Sequence, residues 1–200
     1  MVTVSISKAQ IFNMALNVLG VSMPLENANS NDNKAILLNN YYEVARDYVL
    51  KDFDWNFASS FRKLTLVASE NKFSNFRFCY DYPYDCICAR EVSDSNFLKY
   101  EKFSISSLDN GEKVILCDID DAVLRYTRRI EKEIFFSCEF VMALSYYLAS
   151  LTSSVITGSI QKGELAYEKY RQLLKRSKVL NATEGVDVEY DDTTYLDSRY

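Results

Sequence analysis

"DFDWNFASSFRKL", residues 52–64, holds the single tryptophan of the chain, set between two phenylalanines and ahead of a basic pair. Upstream of it apolar residues recur at helical spacing; beyond Ser60 they come in short aromatic and β-branched runs, so this stretch marks a change from helix to strand. Trp55, with Phe53 and Phe57 two residues to either side, reads as a helix-to-sheet anchor that buries area against both elements. Arg62 and Lys63 fall on the following strand and do not build a site around the indole.

Working back from Asp52, residues Leu37, Tyr41, Val44, Ala45 and Tyr48 share one face, while Lys34, Asn39, Glu43 and Asp47 lie elsewhere. That spacing predicts an amphipathic helix over 33–52, capped by Asp32 or Asn31. Pro24 and the asparagines of "VSMPLENANSNDN" (21–33) separate it from an earlier helix at about 8–19. Ser7 and Gln10 form a capping box for that first helix, Ile11, Phe12, Ala15, Leu16 and Leu19 are its apolar face, and Gly20 is its stop.

Working forward, "RKLTLVA" (62–68), "FRFCYDY" (76–82), "DCICAREV" (85–92), "NFLKYEKFSI" (96–105), "EKVILCD" (112–118) and "AVLRYTRRI" (122–130) read as strands of an antiparallel sheet or small sandwich. In "SLDNGEKV" (107–114) Asn110 and Gly111 are both expected at positive φ in a tight hairpin turn. Alternation places Cys86 and Cys88 on one strand face.

The helical period returns at Ser137. Phe140, Ala143, Leu144, Tyr147, Leu148, Leu151 and Val155 form a wide apolar stripe, and Ser145, Ala149 and Thr152 a second stripe of small residues suited to close approach by another helix. Gly158 ends this helix. A last helix at about 160–181 turns Leu165, Tyr170, Leu173 and Leu174 inward and ends in basic residues. The expected fold class is therefore α+β: a helical bundle drawn from both chain ends (1–58 and 134–182), an inserted antiparallel β unit (59–133) and an extended acidic C-terminal arm (183–200).

Composition limits the chemistry. The net charge of −5 comes from the last twenty residues, which hold six of the 28 acids and one of the 23 bases, so residues 1–180 balance. A neutral body argues against a grip on nucleic-acid backbone. The chain has no histidine, which removes the commonest general base, the usual triads and most catalytic zinc sites. Five single glycines make no phosphate loop. No catalytic residue and no cofactor are assigned. Asp118, Asp120 and Asp121 in "CDIDD" are the densest acids of the body and suit either a solvated turn or a carboxylate pair. Cys79, Cys86 and Cys88 in "CYDYPYDCIC" (79–88) would need a fourth ligand to hold zinc, with Cys117 the nearby strand candidate, so they read as buried thiols and no metal is assigned. Arg62, Lys63, Arg125, Arg128 and Arg129 are expected to be partly neutralised by neighbouring acids. The N-terminus lacks signal-peptide character, five cysteines suggest free thiols in a reducing compartment, and the charge-free run 140–161 is too rich in Ser and Thr for a comfortable membrane span.

The order of the motifs carries a resemblance. "IFNMALNVLG" (11–20), "YYEVARDYVLKDFDWNFA" (41–58), "RKLTL" (62–66), "YDYPYDCI" (80–87), "VLRYTRRI" (123–130), "FVMALSYYLASLTSSVITG" (140–158), "AYEKYRQLLKRSK" (166–178) and "TTYLDSRY" (193–200) follow one another as in phage tail tubular protein A and the tail accessory factor of short-tailed phages. The chain resembles this head-to-tail adaptor family over about residues 8–200. The resemblance implies a structural virion protein made in the host cytoplasm, with no enzymatic activity. It implies a ring of twelve copies at the portal vertex, bound to the portal on one side and to the next tail ring or nozzle protein on the other. Double-stranded DNA would pass through the lumen without sequence-specific binding, and no membrane is involved. Ser145, Ala149 and Thr152 would then sit on a protomer-contact helix, and Tyr190, Tyr195, Leu196, Arg199 and Tyr200 in a portal-binding arm. The alternative expectation is a tail-associated, carboxylate-dependent cell-wall hydrolase working through Asp118, Asp120 or Asp121.

Overall fold

The computed structural model describes residues 6–68 and 75–184. Among the described residues four α-helices pack round one apolar core and two antiparallel sheets round another, which makes the chain α+β. Helix α1 (Lys8–Val18) opens on the capping box, with both the Ser7 and Gln10 side chains bonded to backbone N–H groups, and Gly20 follows it at φ +76°. Asn13 then ties down the connection to the next helix: its amide donates to the carbonyl of Leu25 and accepts from the Leu25 N–H, at 2.9 and 2.7 Å.

Helix α2 (Asn33–Asp52) starts at Asp32, whose carboxylate accepts from Lys34 N–H. Its buried face differs from the one its periodicity predicts. Ala35, Leu38, Tyr42, Ala45, Arg46, Val49 and Leu50 turn inward, whereas Tyr41, Val44 and Tyr48 are exposed. The helix carries two overlapping apolar stripes, and packing against helix α3 (Cys138–Thr157) selects the one that meets the rest of the core.

Helix α3 is capped by Ser137 and ended by Gly158 in the left-handed region. It is central, packing against α1, α2 and helix α4 (Ile160–Glu184). Val155 lies outside the core at 67% exposure, and so does Leu165 on α4 at 55%; Ala166 and Tyr170 fill the place expected of Leu165. Helix α4 reaches Glu184, past the expected start of the arm at 183. The arm residues Tyr190, Tyr195, Leu196, Arg199 and Tyr200 lie outside the described residues. By length and composition α3 could cross a membrane, but half of its apolar window is buried inside the protein.

The strands make two antiparallel sheets. Strands β1 (Ser59–Lys63), β8 (Val123–Arg128), β4 (Cys86–Ser93) and β5 (Tyr100–Glu101) form one, in that order; β2 (Leu66–Ala68), β3 (Phe78–Asp81), β7 (Lys113–Cys117) and β6 (Ser104–Ser107) form the other. They face each other as a small sandwich, with Val92, Leu124 and Tyr126 from the first packed on Tyr80, Ile115 and Cys117 from the second.

Two local departures from the expected strands have clear causes. In the hairpin between β6 and β7 only Gly111 has positive φ; Asn110 instead accepts from Glu112 N–H through its side chain. Leu108 N–H reaches the Glu112 carbonyl, closing a three-residue loop in place of a two-residue turn. On β4 the register slips twice against β8, between Cys86 and Cys88 and between Ala89 and Glu91. Each bulge inserts one residue, so Cys86, Ala89 and Val92 all pack on the sandwich core at intervals of three. Cys86 and Cys88 sit opposite Arg128 and Thr127, adjacent residues on opposite faces, and therefore do not share a face.

Candidate functional site

The segment after α2 joins the two cores. Trp55 is 2% exposed and donates its indole N–H to the carbonyl of Val49 at 2.8 Å, one of the four C-terminal helix carbonyls that lack an intrahelical donor. Its ring meets Phe53 and Phe140 edge to face at 4.7 and 5.3 Å, and Phe57 meets Phe140 at 5.2 Å. All of this is helical core, with Ile87 of β4 joining from the sheet side. The expected anchor is thus aromatic toward the helices.

Toward the sheet the joint is charged. Asp54 pairs with Arg125 of β8 at 2.7 Å and lies 3.8 Å from Arg90 of β4. Arg125 also forks onto both oxygens of Glu91 at 3.1 and 2.9 Å, and the hydrogen bonds to Glu91, followed by those to Asp54, raise its pKa so that it stays charged. Arg90 donates to the carbonyls of Lys51 and Phe53 at 3.0 and 2.9 Å and to the Thr127 hydroxyl at 2.9 Å. A strand arginine therefore caps the C-terminus of α2, where cationic charge also meets the negative end of the helix dipole. Sequence reading missed Asp54 and Arg90. Their signal was a lone acid between two apolar anchors and an arginine inside an apolar strand.

Beside the joint, a cleft of 460 Å³ is lined by Lys8, Tyr42, Arg46, Asp47, Arg129 and Glu133 among others. Within it Arg46 and Arg129 both meet Asp47 at 2.9 Å, and Tyr42 donates to Glu133 at 2.9 Å. Burial, reinforced by Glu133, raises the Tyr42 pKa, while burial lowers that of Lys8. An adjoining cleft of 360 Å³ holds Tyr84, Asp85, Arg128, Lys132 and Phe135.

The acidic cluster is part of a turn. Asp118 accepts from Arg77 N–H at 2.8 Å, Asp120 is exposed, and Asp121, at φ +59°, pairs with Lys63. Among the described residues no three His, Cys, Asp or Glu side chains are grouped to hold a metal ion. The cysteines are free; burial pushes the Cys86 thiol up to about 11. Three of the five bases of the basic cluster are paired with acids: Lys63 with Asp121, Arg125 with Glu91 and Asp54, and Arg129 with Asp47.

The small-residue stripe is used inside the chain, which corrects its assignment to a protomer contact. Ser145, Ala149 and Thr152 are all buried, and the Ser145 hydroxyl donates to Val141 of its own helix at 2.8 Å and lies 3.4 Å from the Ile11 carbonyl of α1. What the chain leaves outside is larger. Ile36, Tyr41, Val44 and Tyr48 are exposed along α2, with Val44 at 70%. Tyr48 stacks on Tyr147 at 4.6 Å, and Tyr147 packs on Tyr170, whose hydroxyl donates to Asp52 at 2.6 Å.

No protein-family model matches the chain, and no curated protein sequence matches it.

Proposed function

We propose that the protein is a structural virion component, a head-to-tail adaptor whose copies form a ring, twelve in number, between the portal and the next tail ring or nozzle protein. The observation that carries this reading is the presence of two separately cored bodies in one short chain: a helical unit closed by both chain ends and a β sandwich inserted into it on a charged joint. Such a chain offers one body to each of two neighbours. The exposed apolar stripe of α2 supplies surface for contact between copies, as large exposed apolar faces do. Balanced charge over residues 1–180 suits a lumen through which DNA slides, because phosphate-binding walls would hold it. In this reading the arm residues Tyr190, Tyr195, Leu196, Arg199 and Tyr200 attach to the portal, and the protein has its place in the virion at the portal vertex.

Native mass measurement of the chain with and without its portal tests the proposal. A monomer or weak oligomer alone and a closed ring on the portal are expected. Absence of any association at micromolar concentration overturns it. Deleting residues 185–200 is expected to loosen portal attachment without preventing contact between copies.

A further inference from the structure

Four tyrosines form a chain of neighbouring rings where α2, α3 and α4 meet. Tyr48 stacks on Tyr147 at 4.6 Å with the ring planes 5° apart, and Tyr147 lies 5.2 Å from Tyr170 and 6.5 Å from Tyr167. Tyr167 in turn lies 5.9 Å from Tyr170. One end of the chain is inside and the other outside: Tyr170 is fully buried, whereas Tyr48 and Tyr167 are exposed. The buried phenol donates to Asp52 Oδ2 at 2.6 Å, a short bond to a carboxylate. Burial, with Asp52 beside it, holds the Tyr170 phenol pKa above its usual value, so the phenol keeps its proton at neutral pH.

The arrangement suits loss of an electron. A phenol that loses one becomes a strong acid, and a buried phenol can pass its proton only to its hydrogen-bond partner. Tyr170 has a base in that place. Taking an electron from its ring and moving the O–H proton to Asp52 leaves a neutral phenoxyl beside a neutral carboxylic acid, so the interior gains no charge. Other aromatic groups lack one part or another. Tyr42 donates to Glu133 at 2.9 Å, but the Lys8 ammonium lies 4.4 Å from its ring centre and opposes positive charge there, and the ring it meets is Phe12. Trp55 donates to a backbone carbonyl, which takes up no proton, and it meets phenylalanines, which resist oxidation. Tyr126 reaches Asp85 only at 3.2 Å, a longer path for a proton.

We propose that Tyr170 is a one-electron oxidation site, with Asp52 as its proton acceptor and Tyr48, Tyr147 and Tyr167 as the path by which an oxidant at the surface reaches it. An outer-sphere one-electron oxidant removes an electron at exposed Tyr48 or Tyr167. Transfer between neighbouring rings refills that residue, through Tyr147 or from Tyr170 directly. Each outer ring returns to its starting state. The lasting changes are one electron passed from Tyr170 to the oxidant and one proton moved from its hydroxyl to Asp52, which ends as the acid. The phenoxyl then rests at a buried position, away from the exposed rings where radicals of two copies could couple. This chemistry does not depend on the adaptor reading.

The full chain, oxidised by a light flash with tris(bipyridyl)ruthenium and persulfate and then frozen, tests this by electron paramagnetic resonance. The wild type is expected to give a tyrosyl radical with the resolved hyperfine pattern of one fixed ring and a coupling to one exchangeable proton that vanishes in deuterium oxide. Tyr170→Phe is expected to remove that pattern. Asp52→Asn keeps an oxygen that accepts the hydrogen bond but cannot take up the proton, and should lower the radical yield at least about tenfold. Tyr42→Phe should give the wild-type signal. Circular dichroism checks that each variant is folded; if Tyr170→Phe is not, the proton coupling of the wild type and the yield of Asp52→Asn still decide the matter. A wild type without a tyrosyl radical, a radical without the exchangeable proton, or an unchanged signal in folded Tyr170→Phe or Asp52→Asn overturns the proposal.

Discussion

The indole N–H of Trp55 bonds to the carbonyl of Val49, six residues earlier, so the side chain that follows α2 folds back to satisfy the end of that same helix. The ring thereby fills the helical core and leaves Asp54, its neighbour, facing the sheet. Removing the ring takes away both roles. Trp55→Ala is expected to cost about 3–5 kcal/mol, read as the loss in urea unfolding free energy by circular dichroism. In the wild type the same indole should show the blue-shifted emission of a buried ring, and solvent-exposed emission would contradict its placement.

Arg90 and Glu91 are neighbours on β4 with different expected weights. Arg90 serves two carbonyls at the end of α2 and the Thr127 hydroxyl, so Arg90→Met removes three hydrogen bonds, two of them part-buried, and should cost about 1–3 kcal/mol. Glu91 is a half-exposed partner of Arg125, and Glu91→Gln should cost only about 0–1 kcal/mol, with Asp54 still pairing the arginine. Equal losses for the two variants in chemical denaturation would count against the capping role of Arg90.

At Gly163 α4 packs closely on Ser150 and Ser153 of α3. A Cβ there would clash with the Ser153 hydroxyl and lie 3.0 Å from the Ser150 carbonyl. Alanine gains about 1 kcal/mol of helix propensity over glycine, but the backbone oxygen of Ser150 cannot move away without shifting α3, so the clash dominates. Gly163→Ala should lower the melting temperature, and adding Ser153→Ala should recover part of the loss by removing the hydroxyl.

Tyr42 and Tyr170 give the fold an alkaline limit. Burial, with Glu133 beside one and Asp52 beside the other, raises both phenol pKa values above the usual 10.0. The native state then holds protons that the unfolded chain releases, so the stabilisation is complete below pH 10 and declines as pH rises beyond it. Unfolding free energy measured from pH 8 to about 12 should fall in the wild type. The fall should be shallower in Tyr170→Phe, which starts less stable at pH 8 because the Asp52 hydrogen bond is gone; an unchanged slope would show that this phenol does not set the limit.

Local chemistry wrote several features plainly enough to read without the fold. The Ser7 and Gln10 capping box, the Asp32 cap, Ser137 and Gly158 bound three of the helices where they occur, because capping depends on residues within one turn of each other. The change of period after Trp55 likewise divides helix from strand, since side-chain spacing of 3.6 or 2 belongs to the backbone itself.

Which surfaces those elements bury was decided only when they packed. Helix α2 has apolar residues at Leu37, Tyr41, Val44 and Tyr48 as well as at Ala35, Leu38, Tyr42, Ala45 and Val49, and periodicity alone cannot rank two stripes that overlap; contact with α3 buries the second and leaves Val44 outside. The bulges of β4 shift Cys86 and Cys88 to different faces because strand register belongs to the pairing with β8 and not to β4 alone. Asp54 and Arg90 lie 36 positions apart in the chain, and only the tertiary structure brings that acid and that base to the end of one helix.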